Sequence, residues 1–342
     1  MRWRGINYDV GIEFGSHHSR PDFDPALTRR ELTVIRDELH CNAVRISGTA
    51  PERLATAAQH ALDLGLEVWL SPHLLDHPPA QTRDHLVECA RRAEQLRGAG
   101  PDLVFVTGCE LTLFMTGIMK GRDFMHRIRN PLSLLRLKAL GTHNKPLNAF
   151  LHETADAVRE VFGGPLTYAS LPIEDVDWSI FDIVGIDYYR GRQNRAVYGE
   201  SLAPRLALGK PVAVTEVGLC AYRGAEDRGA RGFMIVEQTR TPPGLRLGGD
   251  YVRDEALQAG ELVDMLGILE SAGVDGTFVF TFATPTLTRS TLPRMDLDLA
   301  GYGLVATHGE PGAATRPGFP WQPKRSFHAV ADFYGGRAGT AG

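Results

Sequence analysis

Eight short runs rich in valine, isoleucine and aromatic residues recur along the chain, and amphipathic or loop segments separate them. This alternation narrows the available folds more than any other feature, because a buried strand followed by a one-faced helix is the repeating unit of a parallel sheet. The runs are residues 4–9, 42–48, 66–73, 103–110, 165–170, 182–189, 211–216 and 276–283. Helical spacing predicts helices over 26–39, 51–64, 80–97, 146–162 and 252–271, with a weaker one over 194–208. Gly65, Gly98, Gly163, Gly209 and Gly273 stand where those helices should stop. Eight such units predict a (β/α)8 TIM barrel over residues 1–335 and a flexible tail over 336–342. An open doubly wound sheet shares much of the pattern. Its nucleotide-binding forms lose support because no GxGxxG follows the first run and no GxxxxGK[ST] occurs. The connections over 111–145, 217–250 and 284–325 follow the fourth, seventh and eighth strands, on the side where barrel active sites form.

Composition excludes some function classes. A formal net charge of -4, with 43% hydrophobic and 23% charged residues, belongs to an ordinary globular chain. No basic tail or extended basic patch points to nucleic acid, and no run reaches membrane-spanning length. The opening "MRWRGINYDVG" lacks the apolar core of a secretory leader, so cytoplasmic residence is the default expectation. Cys41, Cys89, Cys109 and Cys220 are widely spaced and form no CxxC or Cys/His ligand pattern. They read as reduced thiols, neither a disulfide framework nor a zinc site. A slightly acidic surface fits a neutral small-molecule substrate, and the sequence is silent on oligomeric state.

A barrel brings the carboxyl ends of its strands to one pocket. Those ends supply Asn7 and Asp9, Arg45, His73, Glu110, the Asp187-Tyr188-Tyr189 run, Glu216, and Phe280 with Phe282. "PVAVTEVGL" is the sharpest case: a strand with every mark of full burial that ends on a carboxylate, Glu216. Two facing carboxylates can divide the roles of nucleophile and acid, because repulsion and unequal neighbours drive their pKa values apart. Glu216, near Arg45 and a tyrosine hydroxyl, is expected to stay ionised as the nucleophile; Glu110, beside Cys109, is expected to carry the proton. Tyr188 and Tyr189 point to opposite sides of a strand, so one of them faces the pocket. In "GSHHSRPDFD", His17, His18, Asp22 and Asp24 have no fixed metal-ligand geometry and are expected to line a subsite. "MKGRDFMHRIRN" is read as a solvated face of the loop after strand four.

"NAVRIS", "VWLSPH", "VTGCEL", "FDIVGIDYY" and "VTEVG" occur in this order, and the chain closes on "PWQPKRSFHAVADFY". The series resembles clan A of the retaining glycoside hydrolases, and "GIDYY" and "TEVG" look most like its mannanase- and galactanase-like branches. The resemblance implies a (β/α)8 barrel with Glu110 as acid/base at the end of strand four and Glu216 as nucleophile at the end of strand seven. With no secretory leader in the opening residues, the expected substrate of such an enzyme is a small intracellular glycoside, an oligosaccharide or a glycosylated metabolite. Two positions depart from the clan's pattern. Cys109 stands where the clan has an Asn that holds the sugar 2-hydroxyl, and "GTFVFTFATP" lacks the Trp that serves as a sugar platform. Phe282 or Trp321 would replace that Trp. Some bacterial proteins that the chain resembles are labelled abortive-infection proteins. A lapsed, carbohydrate-binding barrel in a stress or phage-defence role and a transglycosidase therefore stand as alternatives.

Overall fold

The computed structural model describes residues 1–15, 17–98, 102–240, 243–309 and 316–338. Eight parallel strands close into a barrel: β1 (Trp3–Gly11), β2 (Ala43–Gly48), β3 (Glu67–Pro72), β4 (Leu103–Cys109), β5 (Leu166–Ser170), β6 (Val184–Asp187), β7 (Val212–Val217) and β8 (Gly276–Val279). Each strand pairs with its chain neighbours, and β8 returns to β1. Around them lie α1 (Pro25–Asp37), α2 (Pro51–Asp63), α3 (Pro79–Arg97), α4 (Asn144–Arg159), α5 (Glu255–Ala272) and α6 (Arg325–Ala338). Proline opens α1, α2 and α3, where its missing N–H costs nothing. Asp24 caps α1 by accepting from the Ala26 N–H at 2.8 Å, which gives this member of the expected subsite loop a structural task.

Strand alternation sorts the core into two layers. Ile6, Tyr8, Val10, Val44 and Ile46 pack between the barrel and its helices, while Trp3, Trp69, Val104, Val106 and Phe278 fill the inside. Trp69 lies 5.0 Å from Trp3 and 4.6 Å from Phe278 between ring centres. Both indoles donate to Glu67 Oε1, at 2.7 and 3.3 Å. This aromatic plug depends on Gly5, where an added Cβ would lie 2.3 Å from the Phe278 ring. The plug closes the barrel below the layer in which Asn7 sits opposite Arg45.

The expected elements differ from the observed ones where turn residues intervene. The helix expected over 194–208 is broken into 3-10 turns at Arg195–Val197 and Glu200–Leu202 and a single α-turn at Ala203–Leu206, with Gly199 and Pro204 interrupting it. Strand eight ends at Val279, four residues before the expected limit. Phe282 there donates its N–H to the Asn7 carbonyl at 3.0 Å, and Thr281 accepts from Leu304 N at 2.9 Å, so this stretch ties the last loop to β1. Helix α6 continues through Ala338 and takes in the first residues of the expected tail; residues 339–342 lie outside the described residues. Among the described residues no helix is long and apolar enough to cross a membrane.

A buried polar knot joins the loops after β1 and β8. Glu31 accepts from Trp321 Nε1 at 2.7 Å and from Arg20 Nη1 at 3.1 Å, and it also takes the Tyr8 hydroxyl. Glu31→Ala would leave the Arg20 charge buried without its carboxylate. We expect a loss of about 3–5 kcal/mol, read as a lower midpoint of urea unfolding. A midpoint within experimental error of wild type would show that the knot contributes nothing to stability.

Candidate active site

The end of β7 sets the centre of the site. Glu216 follows Thr215 on a strand buried on both faces, and its side chain is 12% exposed. Its Oε1 accepts from Arg45 Nη1 at 2.7 Å, and its Oε2 accepts from the Tyr189 hydroxyl at 2.7 Å. These two charge-assisted bonds fix the carboxylate plane. Arg45 Nη1 also donates to Asn7 Oδ1 at 2.9 Å, and Asn7 Nδ2 donates to the Thr215 carbonyl at 2.9 Å. Asn7 therefore positions the guanidinium, is itself buried, and locks β1 to β7. Burial opposes the Arg45 charge, but Cys109, Asp187 and Glu216 around it more than restore it, and its pKa is raised.

Glu110 occupies the end of β4 with a left-handed backbone, φ 44°, a conformation that costs a non-glycine residue roughly 1–3 kcal/mol. The strained turn is braced on both sides. The Glu110 N–H bonds the Ala169 carbonyl at 2.9 Å, and the one-turn helix Leu111–Phe114 begins immediately after it. Tyr168 accepts from Leu111 N at 2.8 Å and donates to Glu174 Oε2 at 3.0 Å, while Glu174 Oε1 accepts from Thr112 N at 3.1 Å. Burial, followed by the charges of Asp187, Glu216 and Glu174, pushes the Glu110 pKa well above the usual glutamate range; Arg45 opposes this. A carboxyl whose pKa is raised by burial therefore stands near a carboxyl group whose two oxygens are both taken by donors.

Asp187 lies beneath them and opposes Glu216 in the β6–β7 register. It accepts from Thr215 Oγ1 at 2.7 Å and from the Cys109 thiol at 3.2 Å. Burial and the Glu216 charge push its pKa up to about 7, against the pull of Arg45. Cys109 Sγ also lies 3.9 Å from Glu216 Oε1. Donor atoms of Cys109, Asp187 and Glu216 fall within 4.8 Å of one another, so these three residues could hold a metal ion. Arg45 already brings positive charge to the Glu216 oxygen nearest the thiol, which favours an ion pair there over a cation.

The remaining expected residues divide. Tyr189 faces the pocket, whereas Tyr188 turns to the outer layer, stacking on Tyr198 with ring centres 4.7 Å apart and bonding Ser201. His73 is buried at the edge of the site with Ser71 Oγ 3.5 Å away, in a cleft lined also by His85, Cys109 and Phe114. Burial, with Arg45 and His85 adding to it, lowers its pKa to about 3, so the imidazole is neutral. Asp9 is not brought to the glutamates. It sits at the irregular end of β1, accepting from Gly11 N at 2.8 Å, and Ser19, Arg20 and Arg53 surround it.

The expected platforms are also corrected. Phe282 and Trp321 are 0% exposed and pack edge to face, 5.2 Å apart, in the core above Glu31. Neither can meet a sugar. The partly exposed Phe280 stays on the Tyr189 side of the site, 6.2 Å from the Tyr189 ring and 5.7 Å from Tyr302. Tyr302 was missed by sequence reasoning because it arrives from an irregular loop; its hydroxyl donates to the Gly229 carbonyl at 2.8 Å and braces the aromatic corner. Glu174 was missed for the same reason.

No family model matches the sequence, and no curated protein matches it. Solved structures do. A GH113 beta-1,4-mannanase superposes with a TM-score of 0.63 at 13% identity, covering 98% of this chain and 99% of that one. The GH113 beta-mannanase AaManA from Alicyclobacillus acidocaldarius, in complex with ManMIm, gives 0.56 at 16% identity, covering 98% and 97%. The beta-glucuronidase of Parabacteroides merdae gives 0.57 at 14% identity, covering 98% of this chain and 36% of that one. At such identities the likeness is one of fold: this chain has the (β/α)8 barrel found in glycoside hydrolases.

Proposed function

We propose that this chain is a retaining glycoside hydrolase of small glycosides, with Glu216 as nucleophile and Glu110 as acid/base. The observation that carries the reading is the unequal pair: Glu216 fixed by Arg45 and Tyr189, and Glu110 held protonated by burial and by its carboxylate neighbours. The fold shared with mannanases and glucuronidases is consistent with it. In the first step a Glu216 oxygen bonds to the anomeric carbon as the glycosidic C–O bond breaks, and the Glu110 proton passes to the leaving oxygen. In the second, Glu110, now a carboxylate, takes a proton from water as that water attacks the anomeric carbon and releases Glu216. The residues need no metal or organic group for either step. Cys109 offers only a thiol already turned to Asp187, in place of an amide facing the sugar 2-position, so the substrate we favour is altered at that carbon.

The test is a covalent trap. A 2-deoxy-2-fluoro glycosyl fluoride slows both displacements but keeps a good leaving group, so a retaining enzyme accumulates its glycosyl ester. Across a panel of such fluorides, intact-mass spectrometry is expected to show one added glycosyl unit, mapped by proteolysis to Glu216. A label on another residue would overturn the assignment. Turnover of a glycoside with inversion, followed by NMR of the first-formed product, would overturn the mechanism.

A further inference from the structure

We propose that the loop after β4 docks on the surface of an anionic lipid bilayer, through the helix Pro131–Leu140 and the cations around it. Leu132, Leu135 and Leu140 are 76%, 63% and 59% exposed on this one short helix. Three large aliphatic side chains together on a ten-residue element form the kind of patch that marks a protein or membrane contact. The charges identify the partner. From Phe124 through His152 the chain contains no Asp or Glu, while Arg129, Arg136, Lys138 and Lys145 are all exposed. Among the described residues none of these four cations is paired with a carboxylate, whereas Arg122 on the same loop is paired with Asp123 at 3.0 Å.

A second copy of the chain is a poor occupant, because two such faces would meet cation to cation with no acid in the segment to separate them. An anionic bilayer supplies both missing parts. Its interface takes the leucines out of water, and its headgroups meet the lysine and arginine heads while their stems lie along the apolar boundary. The helix is far too short to span, so the contact is one of surface association.

The patch is fixed to the rim of the pocket. Arg127 is buried at its base, donating to the carbonyls of Leu113 at 2.5 Å and Gly121 at 3.2 Å and pairing with Asp76. An aromatic chain runs from His73 to Phe114, then Phe124, then Phe14, with ring centres 6.3, 5.8 and 5.8 Å apart. Docking through the leucines would therefore bring the lipid surface to the loop whose base packs against the His73 side of the pocket.

The test is co-sedimentation of the full chain with phosphatidylcholine vesicles, with and without an equal part of phosphatidylglycerol. We expect the protein to pellet only with the anionic vesicles and the bound fraction to fall as salt is raised. Leu132→Asp/Leu135→Asp and Arg136→Glu/Lys138→Glu should each weaken partitioning by at least about ten-fold. All four side chains are exposed, so unchanged thermal melting would establish that both variants are folded. Equal pelleting with both kinds of vesicle, or either variant pelleting as wild type does, would overturn the proposal. So would a dimer in sedimentation velocity that the leucine variant dissociates, since that assigns the face to a second copy. These outcomes are independent of whether the site hydrolyses glycosides.

Discussion

Glu216→Gln is expected to lower kcat on a 4-nitrophenyl glycoside by on the order of 10⁴-fold or more, while thermal stability changes little. The carboxamide has the shape of the carboxylate. Its oxygen can still accept from Arg45, and its amide can donate to the Tyr189 oxygen, so the neighbours at 2.7 Å on either side keep partners. What disappears is the charge that attacks the anomeric carbon. Arg45 is not left alone by the change, because Asn7 Oδ1 stays 2.9 Å away and Asp187 remains beneath it. That combination separates a nucleophile from a residue that only balances a buried guanidinium: a structural role would cost stability first and rate second. A variant that turns over within ten-fold of wild type would remove Glu216 from the chemistry and leave the site as a binding pocket.

The barrel was legible because it is written in a repeated local code. Runs such as "NAVRIS" and "PVAVTE" are β-branched and continuous, as strands buried on both faces must be, and the prolines and glycines at helix ends stand where the structure uses them. The same code placed Arg45, Glu110 and Glu216 at strand ends, which converge in a closed barrel. It could not choose between Tyr188 and Tyr189. The register shifts between Ile186 and Asp187 where β6 meets β7, and such an irregularity resets the alternation on which any such choice rests. It also misplaced the platform. Phe280 and Phe282 share a parity within "FVFTF", but the barrel ladder ends at Val279, and beyond it the chain bends so that Phe282 goes into the core with Trp321 while Phe280 stays on the Tyr189 side of the site. Tyr302 and Glu174 come from loops whose paths depend on tertiary packing, so no periodicity announces them.

The second large effect concerns proton transfer. Glu110→Ala is expected to slow hydrolysis of alkyl and other poorly activated glycosides by about 10²–10⁴-fold, yet to spare the first displacement on 2,4-dinitrophenyl glycosides, whose leaving group needs no proton. The second displacement loses its base in either case, so added azide, which needs none, should restore turnover and yield the glycosyl azide. The pH profile gives an independent readout. Glu110 must be protonated to act first, and its pKa is raised by burial and then by Asp187 and Glu216, so kcat/KM should fall only as pH rises through a value above the ordinary glutamate range. In Glu110→Ala that alkaline limb should disappear. Asp187→Asn removes the largest of the neighbouring charges, so it should leave the limb in place but move it to lower pH. An alkaline limb that survives Glu110→Ala would place the catalytic proton elsewhere, and the neutral His73 or Asp187 would have to be tested in its stead.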